Sequence, residues 1–219
     1  MVRRTKEEAL QTRSHLLDAA EQLFHAQGVS RTSLQEIALA AGTTRGAIYW
    51  HFKDKADLFN AMMERVTLPL EETIQYLGDD PQADPVAEIR ASVQNALMLV
   101  KNDLQMRRVF EIATHQVEYV GELTAVKERH LRVRNECLVK IERGVTQAAL
   151  RHHITLDLPA VTAVYGLHAL IDGLIQNWLL DVNAFDLVQC GIRSLDVYLK
   201  GLGFTPLPKS AAQPVATAE

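Results

Sequence analysis

The sequence predicts an all-α protein of about nine helices, and three observations support this class. Apolar residues recur every three or four positions along most of the chain, strand-like alternation is absent, and Gly and Pro fall mainly between the periodic segments. The 219 residues are 47% hydrophobic, which is enough for a sizeable core. We therefore expect a small helical domain over residues 1–60 and a larger one over residues 61–204, joined by the fourth helix.

The helices can be placed in order from their periodicity and end signals. The first runs from about Arg13 to Gln27, where Gly28 ends it, and the fourth runs from Lys55 towards Tyr76. Pro69 lies inside the fourth helix and should kink or break it. The later helices are predicted over residues 85–101, 103–115, 119–152, 158–180 and 184–202. The tail over residues 205–219 is rich in Ala, Pro and Thr, which predicts disorder.

Residues 32–59 are the most informative segment. Ser33 followed by Glu36 predicts a capping box at the start of a second helix, which Gly42 ends with a sharp turn. Thr43 or Thr44 then caps a third helix. Its inward positions are Ala47, Ile48 and Phe52. Two short helices joined in this way are typical of a helix-turn-helix, whose second helix enters the major groove of DNA.

The candidate DNA contacts follow from this arrangement. We expect Ser33, Thr43, Thr44 and Lys55 to contact phosphates, with Arg45, Gly46, Tyr49, Trp50 and His51 at the bases or the groove wall. Arg45 is best suited to guanine edges, and Gly46 allows close approach of the backbone. The alternative is an ordinary helical hairpin with half-buried Tyr and Trp side chains. Agreement between the caps, the turn and the flanking bases favours the DNA reader.

Charge is unevenly distributed along the chain. The net charge is −4, but the first sixty residues hold eight Lys and Arg against seven Asp and Glu. Arg3, Arg4, Lys6 and Arg13 precede the first predicted helix as an arm that could follow phosphates. A solvated terminus without DNA contacts is the alternative. Double-stranded DNA is therefore a possible partner despite the acidic total.

Other functional classes lack support in the sequence. Cys137 and Cys190 have neither zinc-site nor disulfide-framework spacing, and no signal peptide or membrane-spanning segment is predicted, so we expect a cytoplasmic protein. His168 and Asp172 lie four residues apart, but without a third ligand a hydrogen-bonded pair is the better interpretation than a metal site. Catalytic sets and Gly-rich phosphate loops are also missing, so the sequence predicts no enzyme, cofactor or metal.

The N-terminal quarter contains the segment 43–52, TTRGAIYWHF, together with Thr12-Arg13, residues 17–20, Gly28-Val29 and Ala41-Gly42. In these residues it closely resembles the TetR family of bacterial repressors. Residues 2–59 look most like the AcrR-like branch, which represses multidrug efflux operons. Later patches are weaker: Arg107-Arg108 with Glu111-Ile112, and residues 172–175 with 178–180. The resemblance implies a repressor of an efflux operon, with a dimer formed by paired C-terminal helices.

The predicted eighth helix also points to a dimer. Small residues recur along it at Ala163, Gly166, Ala169 and Gly173, and it is apolar nearly all round. Such a helix can face its own core on one side and a second subunit on the other. A homodimer would also supply the two recognition helices that a palindromic operator needs.

The resemblance places a pocket for a small hydrophobic or cationic effector in the larger domain. The candidate ligand-binding residues are Val66, Ile89, Val93, Ala96, Phe110, Thr114, His168, Ile171 and Asp172. Phe110 and Thr114 stand where well-studied relatives carry amide and imidazole side chains, which makes the pocket more apolar. Core packing remains the alternative for each residue. A fatty acyl or autoinducer-like effector and another operon are the alternative function.

Overall fold

A computed structural model describes residues 6–204, which form nine α-helices. Arg3, Arg4 and the tail from residue 205 lie outside the described residues, so their predicted roles remain predictions. The helices are α1 Lys6–Gln27, α2 Leu34–Ala40, α3 Arg45–His51, α4 Lys55–Thr73, α5 Pro85–Asn102, α6 Leu104–His115, α7 Thr124–Arg151, α8 Ala160–Leu180 and α9 Leu187–Gly201. A short 3₁₀ turn, Gly121–Leu123, precedes α7. The all-α class is confirmed.

Helix α1 begins seven residues earlier than the sequence predicted. Lys6–Gln11 contains good helix formers, and Glu7 and Glu8 occupy the first turn, where negative charge is favourable. Two basic residues of the predicted arm therefore belong to this helix. One of them, Arg13, lies over the ring of Phe52 at 5.2 Å from its centroid.

Helix α4 continues through Pro69 without a break. Of the predicted kink or break at this residue, the break is wrong and the kink stays a prediction, because proline removes one backbone hydrogen bond that packing of the flanking turns can offset. In the larger domain, α9 begins at Leu187 with Asp186 as its N-cap. Phe185, which the prediction placed inside this helix, therefore precedes it.

The core has two parts. The larger part joins the small domain to the adjoining end of the larger domain, and it includes Phe24 and Phe59, whose ring centroids are 6.1 Å apart. The smaller part lies among α5, α7, α8 and α9 and includes Ile89, Val145 and Leu195. None of the helices over residues 6–204 is long and apolar enough to cross a membrane.

Candidate nucleic-acid interface and effector cavity

The turn between α2 and α3 has the predicted cap geometry. The Ser33 hydroxyl accepts a hydrogen bond from the Glu36 amide at 3.2 Å, and the Glu36 carboxylate accepts one from the Ser33 amide at 2.7 Å. The Ser33 hydroxyl also donates to this carboxylate at 2.7 Å, and that bond, followed by the one from the Ser33 amide, lowers the pKa of Glu36. Gly42 has a φ of +65°, a conformation that glycine adopts without strain. The capping box and the glycine turn are therefore confirmed.

Helix α3 presents a polar and aromatic face. Thr44 caps it by accepting from the Ala47 amide at 3.2 Å, while Ile48 and Phe52 are buried below. Tyr49 and Trp50 are 49% and 73% exposed. Arg45, Gly46, Ser33 and Thr44 are also exposed, and Thr43 and His51 are partly so. Of these predicted DNA-contact residues, Ser33, Arg45 and Tyr49 line one surface cleft.

Arg45 and Trp50 are held in place by neighbouring rings. The Arg45 guanidinium lies 5.6 Å from the centroid of the Tyr49 ring, and the Trp50 ring meets His51 edge-on at 4.6 Å. The face therefore combines a positioned cation with two exposed aromatic rings.

Lys55 differs from its predicted role. It is only 8% exposed, and its ammonium donates to the carbonyl oxygens of Val29 and Thr32, each at 3.1 Å. The carboxylate of Glu122 lies 2.7 Å away. The Lys55 ammonium directs its N–H donors to these acceptors and so fixes the turn between α1 and α2. We therefore correct the prediction that Lys55 contacts phosphate.

Lys53, which the sequence pairs with Lys55 as a predicted phosphate contact, is exposed, and so is Arg31. Arg31 and Lys53 line a surface cleft together with Ser33, Arg45 and Tyr49. Arg31 was not singled out from the sequence, although its place two residues before the α2 N-cap is a usable signal. Arg31 therefore takes the place of Lys55 as an exposed cation beside Lys53 and Arg45, in a cleft that is also lined by Asp54 and Glu122.

A cavity of about 270 Å³ lies inside the larger domain, between α4, α5, α6, α7 and α8. Seven of the nine candidate ligand residues line it: Ile89, Val93, Ala96, Phe110, His168, Ile171 and Asp172. Val66 and Thr114 do not. Val66 is buried in the larger core, because α4 turns Met63, Thr67 and Leu70 to the cavity instead. Thr114 lies one turn beyond Phe110 on α6, outside the lining.

The cavity also contains polar groups that the sequence analysis missed. Thr67 and Glu71 enter from α4, and His130, Arg134 and Cys137 enter from α7. Within residues 6–204, Oγ1 of Thr67 and one carboxylate oxygen of Glu71 are buried and have no hydrogen-bond partner. The apolar period of α4 and α7 could have indicated these positions, since they share faces with apolar lining residues. A ligand could thus meet both acceptors and a cation in an otherwise apolar space.

His168 lacks the hydrogen bond to Asp172 that the sequence suggested. Asp172 instead accepts from the side-chain amide of Gln176 at 2.6 Å. Burial lowers the pKa of both His168 and His130, and the nearby Asp172 carboxylate opposes this effect. Burial also raises the pKa of the Cys137 thiol, and both cysteines are free. Within the described residues no group of three potential ligands could hold a metal ion.

We expect the stability of the protein to fall as the pH is lowered through the titration of these imidazoles. A lowered native pKa means that the unfolded chain binds protons more readily, so the stabilisation is complete above the unfolded value of about 6.5 and is lost below it. Denaturant unfolding between pH 8 and pH 5 measures this loss. His168→Gln should show a smaller loss than wild type, whereas His15→Gln on the exposed side of α1 should match wild type. Equal slopes for all three would contradict the assignment.

Comparison with known proteins gives a match for the N-terminal helix-turn-helix domain and another for the larger helical domain. Residues 16–62 match the bacterial regulatory proteins of the tetR family, and residues 84–204 match the C-terminal region of MAATS-type transcriptional repressors. The transcriptional regulator AcrR of Shigella flexneri is 41% identical over 193 residues, covering 85% of this chain and 87% of that protein.

Solved structures give the same result. NalD, the secondary repressor of the MexAB-OprM multidrug efflux pump in Pseudomonas aeruginosa, has 34% identity and a TM-score of 0.82, covering 89% of this chain and 98% of its own. SmeT in complex with triclosan has 29% identity and a TM-score of 0.78, covering 94% and 99%. SmeT is described as the repressor of the Stenotrophomonas maltophilia multidrug efflux pump SmeDEF.

Proposed function

Because the chain belongs to the TetR family of bacterial transcriptional regulators, we propose that it is a ligand-responsive repressor of a multidrug efflux operon. The observation that carries the proposal is the exposed face of α3, with Arg45, Tyr49 and Trp50 on a helix capped at Thr44. Its operator DNA would be read in the cytoplasm.

Operator recognition would divide between bases and backbone. Arg45 would donate to a guanine edge, with Gly46, Tyr49, Trp50 and His51 against the bases or the groove wall. Ser33, Thr43 and Thr44 would meet phosphates, with Arg31 and Lys53 in place of Lys55, and Arg3 and Arg4 would extend these contacts. A seven-residue recognition helix reads a half-site, which favours a two-fold symmetric operator.

A homodimer would supply the second half-site, and the outer face of α8 and α9 is the surface that fits it. Exposed apolar side chains line this face at Val161, Tyr165, Leu180 and Val197. The small residues of α8 are partly used within the chain, because the Tyr198 hydroxyl contacts Gly166 and donates to the carbonyl of Ala163 at 2.7 Å. The partner would therefore meet the larger side chains of α8, which supports an interface of two helices from each subunit.

The effector would occupy the cavity. Its apolar lining favours a hydrophobic compound, while Glu71 and Asp172 favour a cationic group on that compound. Effector binding would release the operator only if the effector prefers a conformation in which the two α3 recognition helices no longer match the half-sites. The size of that preference limits the loss of operator affinity. The Arg134 guanidinium, which also lines the cavity, would instead favour a carboxylate group on the ligand. An acidic amphiphile is therefore the second candidate effector.

Footprinting of the protein on its own upstream region tests this function. We expect a protected palindrome that is lost when triclosan or the non-intercalating cation tetraphenylphosphonium is added, and binding that weakens steeply with salt. An unrelated promoter fragment at the same salt concentration is the control. Protection that is equal on both fragments, or that neither compound relieves, would contradict a ligand-responsive repressor.

A further inference from the structure

Glu21 is a buried carboxylate on α1 that joins three helices. The residue is 3% exposed, and its carboxylate accepts hydrogen bonds from Arg65 of α4 at 3.3 Å and from Gln105 of α6 at 3.0 Å. Arg108 of α6 approaches the other oxygen at 3.5 Å. Asp18, one turn earlier on α1, binds Arg65 at 2.7 Å.

Both helices that donate to Glu21 also line the effector cavity. Arg65 lies between Met63 and Thr67 on α4, and both neighbours face the cavity. Arg108 lies two residues before Phe110, through which α6 faces the cavity. A helix is stiff over one turn, so a displacement on its cavity side moves the side chains on its α1 side as well.

From this placement, which rests on the proposed function, we propose that Glu21 is the positioning residue through which effector binding in the cavity moves the DNA-binding helices. The Arg65 and Arg108 contacts, at 3.3 and 3.5 Å, already lie at the long end for such bonds, so a small displacement of either helix is enough to lose one of them. A shift of α6 against α4 would break one set of donors, and α1 would follow the helix that keeps its contact. Helix α1 packs on α2 and α3 through the larger core, so the recognition helix would turn with it.

The negative charge of Glu21 couples its contacts with α4 and α6, so that the loss of one set affects the position of α1. A carboxylate so well shielded from water is stable only while cations and donors satisfy it, so the loss of one donor set favours a different packing of α1. Glu21→Gln would keep the shape and remove the charge. Neither arginine would be left as a buried charge without a partner, because Arg65 keeps its ion pair with Asp18 and the Arg108 side chain is 45% exposed to solvent.

The test compares the operator affinity of full-length protein with and without triclosan, on the DNA fragment protected in footprinting and at fixed salt. For wild type we expect triclosan to weaken binding by roughly 5- to 150-fold, the usual range for allosteric coupling. Glu21→Gln should reduce that ratio by about 2- to 30-fold. Asp196→Asn is the matched control, because it breaks an ion pair of 2.8 Å with Arg90 inside the body and should keep the wild-type ratio.

A merely structural role for Glu21 would lower the affinity equally with and without triclosan and leave the ratio unchanged, and that result overturns the proposal. If Glu21→Gln does not fold, Arg108→Met on the exposed side of the junction removes the α6 ion pair alone and should still reduce the ratio. Wild-type protein that binds no operator, or that neither triclosan nor tetraphenylphosphonium releases, contradicts the proposed function and this coupling with it. Wild-type release with an unchanged variant ratio contradicts the coupling alone.

Discussion

Replacing Arg45 by alanine is expected to lower the affinity for the specific operator by roughly one to two orders of magnitude, since a good bidentate contact to guanine is worth about 1–3 kcal/mol. The side chain is exposed at the first turn of α3, and its guanidinium is steadied by the Tyr49 ring. Removal should leave the fold intact, because the buried residues of the helix are elsewhere. Fluorescence anisotropy with the operator and with a scrambled duplex measures the loss of specificity.

Lys53→Ala is the matched control for this experiment. Lys53 is also exposed and basic and lies in the same cleft, but its position after α3 suits a phosphate. We expect it to weaken binding to both duplexes alike and to reduce the salt slope by about one. If Arg45→Ala behaved in the same way, with equal losses on the two duplexes, Arg45 would not be a base reader.

Replacing Lys55 by methionine is expected to destabilise the protein by about 2–4 kcal/mol, because the buried carbonyls of the turn would lose their donor. Methionine has a similar length and is apolar, so packing changes little while the ammonium is lost. The Lys55 ammonium reaches Val29, Thr32 and Glu122, which fixes the start of α4 against the turn before α2. Urea unfolding followed by circular dichroism measures the effect.

Lys53→Met, two residues earlier and exposed, should change the free energy of unfolding by less than about 0.5 kcal/mol. The same pair of variants separates the two roles considered for Lys55. If Lys55 contacts phosphate, Lys55→Met reduces the salt slope of DNA binding and leaves the stability unchanged. If Lys55 ties the turn to α4, Lys55→Met lowers the stability and leaves the salt slope unchanged. Normal stability of Lys55→Met together with a reduced salt slope would restore the sequence prediction.

Local signals in the sequence were sufficient for the DNA-binding half. The capping box at Ser33, the turn at Gly42 and the cap at Thr44 each depend on residues within four positions of one another, so their spacing predicts the geometry. Most helices of the larger domain were placed within three residues of their observed ends, because Asp84-Pro85 and similar end signals act within one turn, whereas α7 begins five residues after its predicted start.

The cavity was only partly predictable. A helical period identifies an apolar face, but it cannot say which of two buried faces meets a space and which meets another helix. Val66 and Met63 illustrate this limit, since both lie on the buried side of α4 and only Met63 lines the cavity. Glu71 and Arg134 were missed because charged residues on a helix normally indicate solvent.

The sequence by itself thus determined the all-α class, the capped reader and the residues that its third helix exposes, because these depend on neighbours along the chain. Only the tertiary structure decided what Lys55 and Glu21 do. The carbonyl partners of Lys55 lie 23 to 26 residues away, and two of the donors to Glu21 lie 84 and 87 residues away. A charged side chain looks the same in a sequence whether it will face phosphate or be buried, and its role is set by the distant groups that folding brings within hydrogen-bonding distance.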